Sequence, residues 1–438
     1  MTVRAGFAQL DITPPAGLPL GGYGMRTGGA DGALDPLFCR AVVLDDDTGP
    51  VAVVVLDLVY VFADWTARVR VRAGEVLGLA ADRLLISATH THAGPGVFRS
   101  ALSSDVRLRC YEDALVDRVV ECLCAANAAS TPAHLRCGKA AAAGVAANRR
   151  DPSLPIDEAV RVLCVHDESG QLRGVLANFA CHPTVLSAAN HSYSADLFGA
   201  AVETASHELG VPVLLTNGAA GDVSTRFTRR TQTPGEARRL GALLANAVCA
   251  GVRRASRVGR RSDRHFFDAA TQSLQVRWRH LPAPDAAVTQ LQRELTALQS
   301  LRAAGASAGA VRLAESRVEG AQAEAWVSSQ GGWKALFGSR QPAAPVQALR
   351  CGAVAIVGAP GELFSSAAQW LRRRLGDTAL VIGYANDYLG YLIPEHEVSA
   401  GGYESLIAMV DPTCEATIRS GLVDVARSAG CEIEAADG

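Results

Sequence analysis

The sequence predicts an α/β fold: a mixed β-sheet core flanked by helices, with an inserted helical hairpin. Three observations predict it. Short β-prone apolar runs recur along the chain and stop abruptly in polar or glycine-rich residues. Helical patterns lie between many of them, and one stretch rich in Ala, Gln, Glu, Leu and Arg breaks the alternation.

In chain order, the first run is 52–58, with Asp57 near its end, followed by a helical pattern over 63–78. The run 84–88 ends in Thr89-His90-Thr91-His92-Ala93-Gly94-Pro95-Gly96, and a helix is expected over 110–127. The run 174–180 ends in Cys181-His182-Pro183, before a helix over 196–209. The run 211–216 ends in Asn217-Gly218-Ala219-Ala220-Gly221-Asp222-Val223-Ser224, before a helix over 235–254. The run 353–357 ends in Gly358-Ala359-Pro360-Gly361-Glu362, with Glu362 expected to open a helix over 362–375. The run 379–382 ends in Gly383-Tyr384-Ala385-Asn386-Asp387-Tyr388, and a last helix is expected over 414–429. Between about 286 and 328 two helices joined at 304–309 form the inserted hairpin. No internal repeat or sharp boundary divides the chain, so residues 1–438 read as a single domain with the hairpin 286–328 inside it.

Composition narrows the function classes. With 49% hydrophobic and 20% charged residues, the chain suits a globular protein with a large core. A formal net charge of -2, with no block of like charge, gives no footprint for nucleic acid. No apolar stretch is long enough to span a bilayer, and the N-terminus lacks the basic start and apolar core of a secretory signal. A cytoplasmic location is the resulting expectation. The 11 cysteines are scattered and odd in number, and residues such as Cys164 sit inside apolar runs, as small buried hydrophobes do in a reducing compartment. Cys122 and Cys124 lack the spacing and the second pair of a metal site.

Ligand sites in α/β folds gather where strands end. Five strand ends here carry His, Ser, Glu or Tyr. His90 and His92, two apart in an extended segment, point to the same side and can reach one site. Taken singly, each residue has an ordinary structural reading: a loop hydrogen bond for His90 or His92, a satisfied core position for His182, dipole stabilisation at a helix start for Glu362. Ser224 reads as a turn residue, and Tyr388, Tyr391 and Tyr403 as packing aromatics. Taken together they make chemical sense. Two neutral imidazoles and a carboxylate are a common protein set for catalytic zinc, which activates water and polarises an acyl oxygen. A further histidine and an arginine nearby serve to move protons and hold an oxyanion.

These segments, in this order, resemble the catalytic N-terminal domain of the neutral/alkaline (non-lysosomal) ceramidase family. The matching pieces are Asp11-Ile12-Thr13-Pro14-Pro15 with Gly22-Tyr23-Gly24, the histidine motif at 89–96, Asn148-Arg149, Asn178-Phe179-Ala180-Cys181-His182, the segment 217–224, Pro360-Gly361-Glu362, Asn386-Asp387-Tyr388-Leu389-Gly390-Tyr391 and Tyr403-Glu404. The resemblance implies a zinc-dependent amide hydrolase cleaving an N-acyl linkage, as family members split ceramide into fatty acid and sphingosine. It implies His90, His182, Glu362 and Tyr391 as Zn2+ ligands, with Tyr391 preferred to Tyr388 because the family pairs its ligand tyrosine with a second one downstream, here Tyr403. It implies His92, Arg149 and Tyr403 around the reacting centre, and Ser224 at the position credited in the family as nucleophile. Metal-activated water is the expected attacking group, with Ser224 positioning substrate, because no general base adjoins it in sequence.

Several features depart from the family pattern. With about thirty residues after Tyr403, the C-terminal immunoglobulin-like domain of the family is not expected in this sequence; Ala93 replaces a usual serine, and Thr225 a common proline. These departures bear on the substrate, a lipid or a small N-acyl compound. The alternatives are a deacylase acting on a soluble non-lipid metabolite in a biosynthetic pathway and, from another class, a non-catalytic zinc-binding protein.

Overall fold

The computed structural model describes residues 3–434 apart from Met25, 97–104, 259–266 and 339–340. The chain forms a mixed α/β structure built on three larger sheets. The first runs in the order Leu84–Ala88, Val51–Leu56, Phe38–Asp45, Arg4–Asp11, Thr131–Pro132. The second is Val213–Asn217, Leu172–Phe179, Ala159–His166, His134–Ala141. The third is Phe267–Gln275, Ala343–Cys351, Val354–Gly358, Leu380–Ile382.

Each sheet has one parallel pair at one edge and antiparallel partners beyond it. The parallel pairs are Val51–Leu56 with Leu84–Ala88, Leu172–Phe179 with Val213–Asn217, and Val354–Gly358 with Leu380–Ile382. All six parallel strands come from the apolar runs read in the sequence. Their continuity has a physical cause: both faces are covered, so polar residues are excluded from either side. Ala52, Val54 and Leu56 pack beneath the helices Ala63–Leu77 and Val106–Ala128. Val51, Val53 and Val55 turn the other way, into a core shared with Leu176 and Leu214 of the second sheet and Ile356 and Ile382 of the third. Helices Asp196–Leu209 and Pro234–Val258 cover the outer face of the second sheet, and Ser365–Leu375 and Thr413–Ser428 that of the third.

The antiparallel strands Arg4–Asp11, Phe38–Asp45, His134–Ala141, Ala159–His166, Phe267–Gln275 and Ala343–Cys351 were not among the six runs read as strands, although the apolar run around Cys164 lies in one of them. Three of them, Arg4–Asp11, His134–Ala141 and Phe267–Gln275, are half-exposed or exposed at most positions, as antiparallel strands can be. One helix start also differs from the sequence expectation. Glu362 does not open a helix; it lies in the short strand Glu362–Leu363, and the helix begins at Ser365. Gly361 makes this possible, because its missing side chain lets the carbonyl of Gly390 approach to where a Cβ would stand 2.5 Å away.

The helices Pro284–Ala303 and Ala308–Ser329 pack on each other through Leu298, Ala314 and Val318, turning at Gly305. No described helix is long and apolar enough to cross a membrane.

Candidate metal centre

Parallel strands place their C-terminal ends at the same side of a sheet, and loops leaving those ends carry the chemistry-bearing residues. Just past Leu84–Ala88, His90 adopts φ +66°, a left-handed conformation uncommon outside glycine. Its backbone N–H donates to the carbonyl of Leu58 at 2.9 Å, and its Nδ1 lies 2.7 Å from the carbonyl of Val59. That contact places the ring proton on Nδ1 and leaves the Nε2 lone pair free. His182 is oriented in the same manner, with Nδ1 2.6 Å from the carbonyl of Ala220. Asn217 clamps the two histidine loops together, its amide donating to the carbonyls of Thr89 at 2.9 Å and Cys181 at 3.0 Å.

Short backbone pairings deliver the other donors. Glu362 and Tyr391 are directly opposite each other in a parallel two-residue ladder. His182 pairs with Ser224 across a single bridge, and Ser224 with Ala147 in an antiparallel ladder that also seats Asn148 beside Val223.

The ring nitrogens of His90, His92 and His182 lie within 4.8 Å of one another. The Nε2 atoms of His90 and His92 are 3.2 Å apart. Glu362 Oε2 stands 2.9 Å from His182 Nε2 and 3.7 Å from His90 Nε2. Glu362 Oε1 accepts the Tyr388 hydroxyl at 2.6 Å, while Oε2 is buried with no hydrogen bond of its own. The Tyr391 hydroxyl is 3.5 Å from His182 Nε2 and accepts from Arg149 Nη2 at 2.7 Å. Arg149 is held by Glu404, Nε to Oε1 at 2.8 Å, with both side chains buried. The Tyr403 ring meets that of Tyr391 edge-on at 6.2 Å. Ser224 is buried, and its Oγ accepts the backbone N–H of Arg226 at 3.2 Å; among the described residues no histidine or carboxylate hydrogen-bonds it.

His90, His92, His182, Glu362 and Tyr391 therefore gather in one cluster, with Arg149 bonded to Tyr391, Tyr403 packed on Tyr391 and Ser224 bridged to His182 through the backbone. Burial pushes His90 down to about 3, and holds His92 and His182 well below the usual histidine range. All three are then neutral near pH 7 and present lone pairs. A buried carboxylate oxygen with no donor, facing neutral imidazole nitrogens, is an arrangement that a cation completes. His92 Nε2 belongs to the same group of nitrogens, so it stands as an alternative donor to Tyr391.

Sequence reasoning passed over four supporting residues. Tyr384 stacks on the His90 ring at 4.1 Å, Glu404 fixes Arg149, and Asn217 joins the loops. Asp222 accepts from Asn148 Nδ2 at 3.0 Å and from the Ser365 backbone at 2.7 Å. Each lies within or beside a motif already singled out, so their adjacency was the available signal. A cavity of about 450 Å³ lies between the hairpin and residues 393–412, lined by Arg279, Glu294 and Leu406 among others, but by none of the cluster residues.

Residues 3–213 match the family model described as "Neutral/alkaline non-lysosomal ceramidase, N-terminal". The chain is similar to the neutral ceramidase of Pseudomonas aeruginosa, with 24% identity over 399 residues covering 79% of this chain and 59% of that protein. It thus spans about three-fifths of the length of that curated relative. Among solved structures, neutral ceramidase from Pseudomonas aeruginosa superposes with a TM-score of 0.74 at 20% identity, over 100% of this chain and 76% of that one. A ceramidase complexed with C2 gives 0.75 at 19% identity, over 100% and 77%. These likenesses establish the mixed α/β fold, and the family resemblance carried by the sequence motifs is borne out.

Proposed function

From this chain's kinship with the neutral/alkaline ceramidases, we propose that it is a zinc-dependent hydrolase of N-acyl amides, acting through metal-activated water. The observation that carries the reading is the unbonded Glu362 Oε2 facing the Nε2 atoms of His182 and His90. In this proposal His90, His182, Glu362 and Tyr391 hold Zn2+, which when bound supplies an activated water and polarises the acyl oxygen.

The chain's own residues do the rest. The Nδ1 contacts of His90 and His182 to backbone carbonyls aim both rings at the ion. His92, poised 3.2 Å from His90, moves the proton from the attacking water to the departing amine nitrogen. Arg149, fixed by Glu404 and bonded to Tyr391, keeps positive charge beside the developing oxyanion. Tyr403 packs the far side of Tyr391 and lines the reacting centre. Ser224 has no base bonded to its hydroxyl, which favours a positioning role over attack.

The first test is fatty-acid release from a short-chain ceramide by zinc-loaded protein, with metal content measured alongside. Wild-type protein should bind about one zinc and release fatty acid; Glu362→Gln should lose both. A folded, zinc-loaded wild type that releases nothing would exclude ceramide and direct the reading to soluble N-acyl amides. A purely structural metal would have no use for His92 and Arg149 beside it, which disfavours the non-catalytic alternative.

A further inference from the structure

We propose that the loop following Ser224 carries an anion-binding subsite, formed by Arg226 and Arg229, so that the N-acyl compound cleaved here bears a carboxylate or phosphate. The inference rests on the amide-hydrolase reading and extends it to the substrate class.

Arg226 and Arg229 lie three residues apart on a tight turn, in which the backbone N–H groups of Thr228 and Arg229 both donate to the carbonyl of Thr225. Each guanidinium is fastened to the backbone of a site segment. Arg226 Nη1 donates to the carbonyl of Arg149 at 3.1 Å and Nη2 to Ser316 Oγ at 3.1 Å. Arg229 Nη1 donates to the carbonyl of Thr184 at 2.8 Å, two residues after His182, with Thr225 Oγ1 3.4 Å away. A guanidinium carries five N–H donors. These contacts engage two nitrogens of Arg226 and one of Arg229, and none of the acceptors is a carboxylate.

The contrast with neighbouring arginines is informative. Arg26 spends its donors on the carbonyls of Gly21, His92, Ser187 and Ala188, as a structural staple does. Arg149 is paired with Glu404, and Arg312 with Glu315 and Glu319. The other carboxylate near Arg229 is Asp196, whose oxygens already accept the backbone N–H groups of Leu186 at 2.9 Å and Leu197 at 2.6 Å. Burial, followed by the like charges of Arg149 and Arg312, pulls Arg226 down to about 10. Burial also lowers Arg229, with Arg312 adding to the effect and Tyr23 and Asp196 opposing it. Glu404 acts on Arg226 from a distance, as Asp196 does on Arg229, but among the described residues no carboxylate hydrogen-bonds either guanidinium. Two half-buried cations with donors to spare, crowded by other cations, are what an incoming oxyanion group relieves. The anchors lie on segments that carry the centre, the carbonyl of Arg149 itself and that of Thr184 two residues past His182, which puts the subsite next to those segments.

The test compares three lauroyl substrates on the zinc-loaded protein: N-lauroylglycine, N-lauroyl-O-phosphoethanolamine and uncharged N-lauroylethanolamine. Either anionic substrate should exceed the neutral one in kcat/KM by about tenfold or more, and the favoured anion identifies the group. The preference should shrink with added salt and in Arg229→Gln, chiefly through KM, and survive in part in Arg229→Lys. Equal or better hydrolysis of the neutral substrate would overturn the subsite while leaving amide hydrolysis standing. If none is cleaved, calorimetric binding of N-lauroylglycine decides: binding that weakens at least tenfold in Arg229→Gln upholds the subsite. Binding that is absent, or equal in both proteins, removes it.

Discussion

At the scale of single residues, the centre depends on groups whose charge state is set by burial and by one or two partners. Glu404 is the clearest instance, because its hydrogen bond holds Arg149 in place. Removing a buried partner strands the other charge at a cost of about 3–5 kcal/mol. Glu404→Gln should therefore lower stability by roughly that amount in urea titration, because Arg150, whose Nε lies 3.8 Å from the same carboxylate, is a second cation and offers Arg149 no replacement partner. It should also reduce kcat more than KM while zinc content stays near normal. Unchanged kcat would deny Arg149 its proposed place at the oxyanion. The histidines give a pH prediction whose sign follows from their depressed values. Between about 3 and 6.5, folded His90 is neutral while its unfolded counterpart is protonated. The unfolded state then binds more protons, so stability falls as pH drops below 6.5 and rises again toward neutrality. His182 and His92 act in the same direction. Urea midpoints at pH 5.0 and 7.5 should show the acid sample less stable, and His182→Asn should flatten the difference.

At the scale of elements, two-residue pairings matter as much as long strands. The ladder that sets Glu362 opposite Tyr391 has only one further rung, yet it brings the Tyr391 hydroxyl to His182. Tyr388, three residues earlier, instead donates to the outer oxygen of the same glutamate. The hairpin presses on this region from outside. At Gly320 of Ala308–Ser329, an added Cβ would lie 3.0 Å from Leu406 Cβ and 3.4 Å from Tyr403 Cα. Gly320→Val should push the Tyr403–Ile407 helix outward and cost about 1–3 kcal/mol by overpacking. Hydrolysis should fall several-fold with zinc content unchanged; full activity at reduced stability would show that the hairpin and the centre are mechanically independent.

At the scale of the whole molecule, three sheets share one central apolar core, and the donors sit where their parallel strands end. No residue of the proposed zinc site belongs to that core. Chelation should therefore abolish hydrolysis while leaving far-UV circular dichroism intact, with a melting temperature lower by on the order of 5 °C. Unfolding on chelation would instead assign the ion a structural role.

The sequence by itself determined the parallel strands of the three larger sheets, the flanking helices and, through its motifs, the histidine, glutamate and tyrosine residues that gather in the cluster. Strands covered on both faces exclude polar side chains, so 84–88 or 353–357 announce themselves as unbroken apolar runs, and the polar residues that interrupt them mark the strand ends. Antiparallel strands such as His134–Ala141 were silent because their wetter positions dilute the pattern, whereas Phe38–Asp45 and Ala159–His166, buried almost throughout, were passed over without that reason. Only the tertiary structure decided that Glu362 lies in a strand rather than at a helix start, that Glu404 and Asn217 orient the reacting groups, and that among the described residues no carboxylate hydrogen-bonds Arg226 or Arg229. The physical reason is common to all of these. A strand's burial is written into its own neighbouring residues, whereas the partner of a charge or a two-residue ladder comes from segments tens to hundreds of positions away, brought together by packing alone.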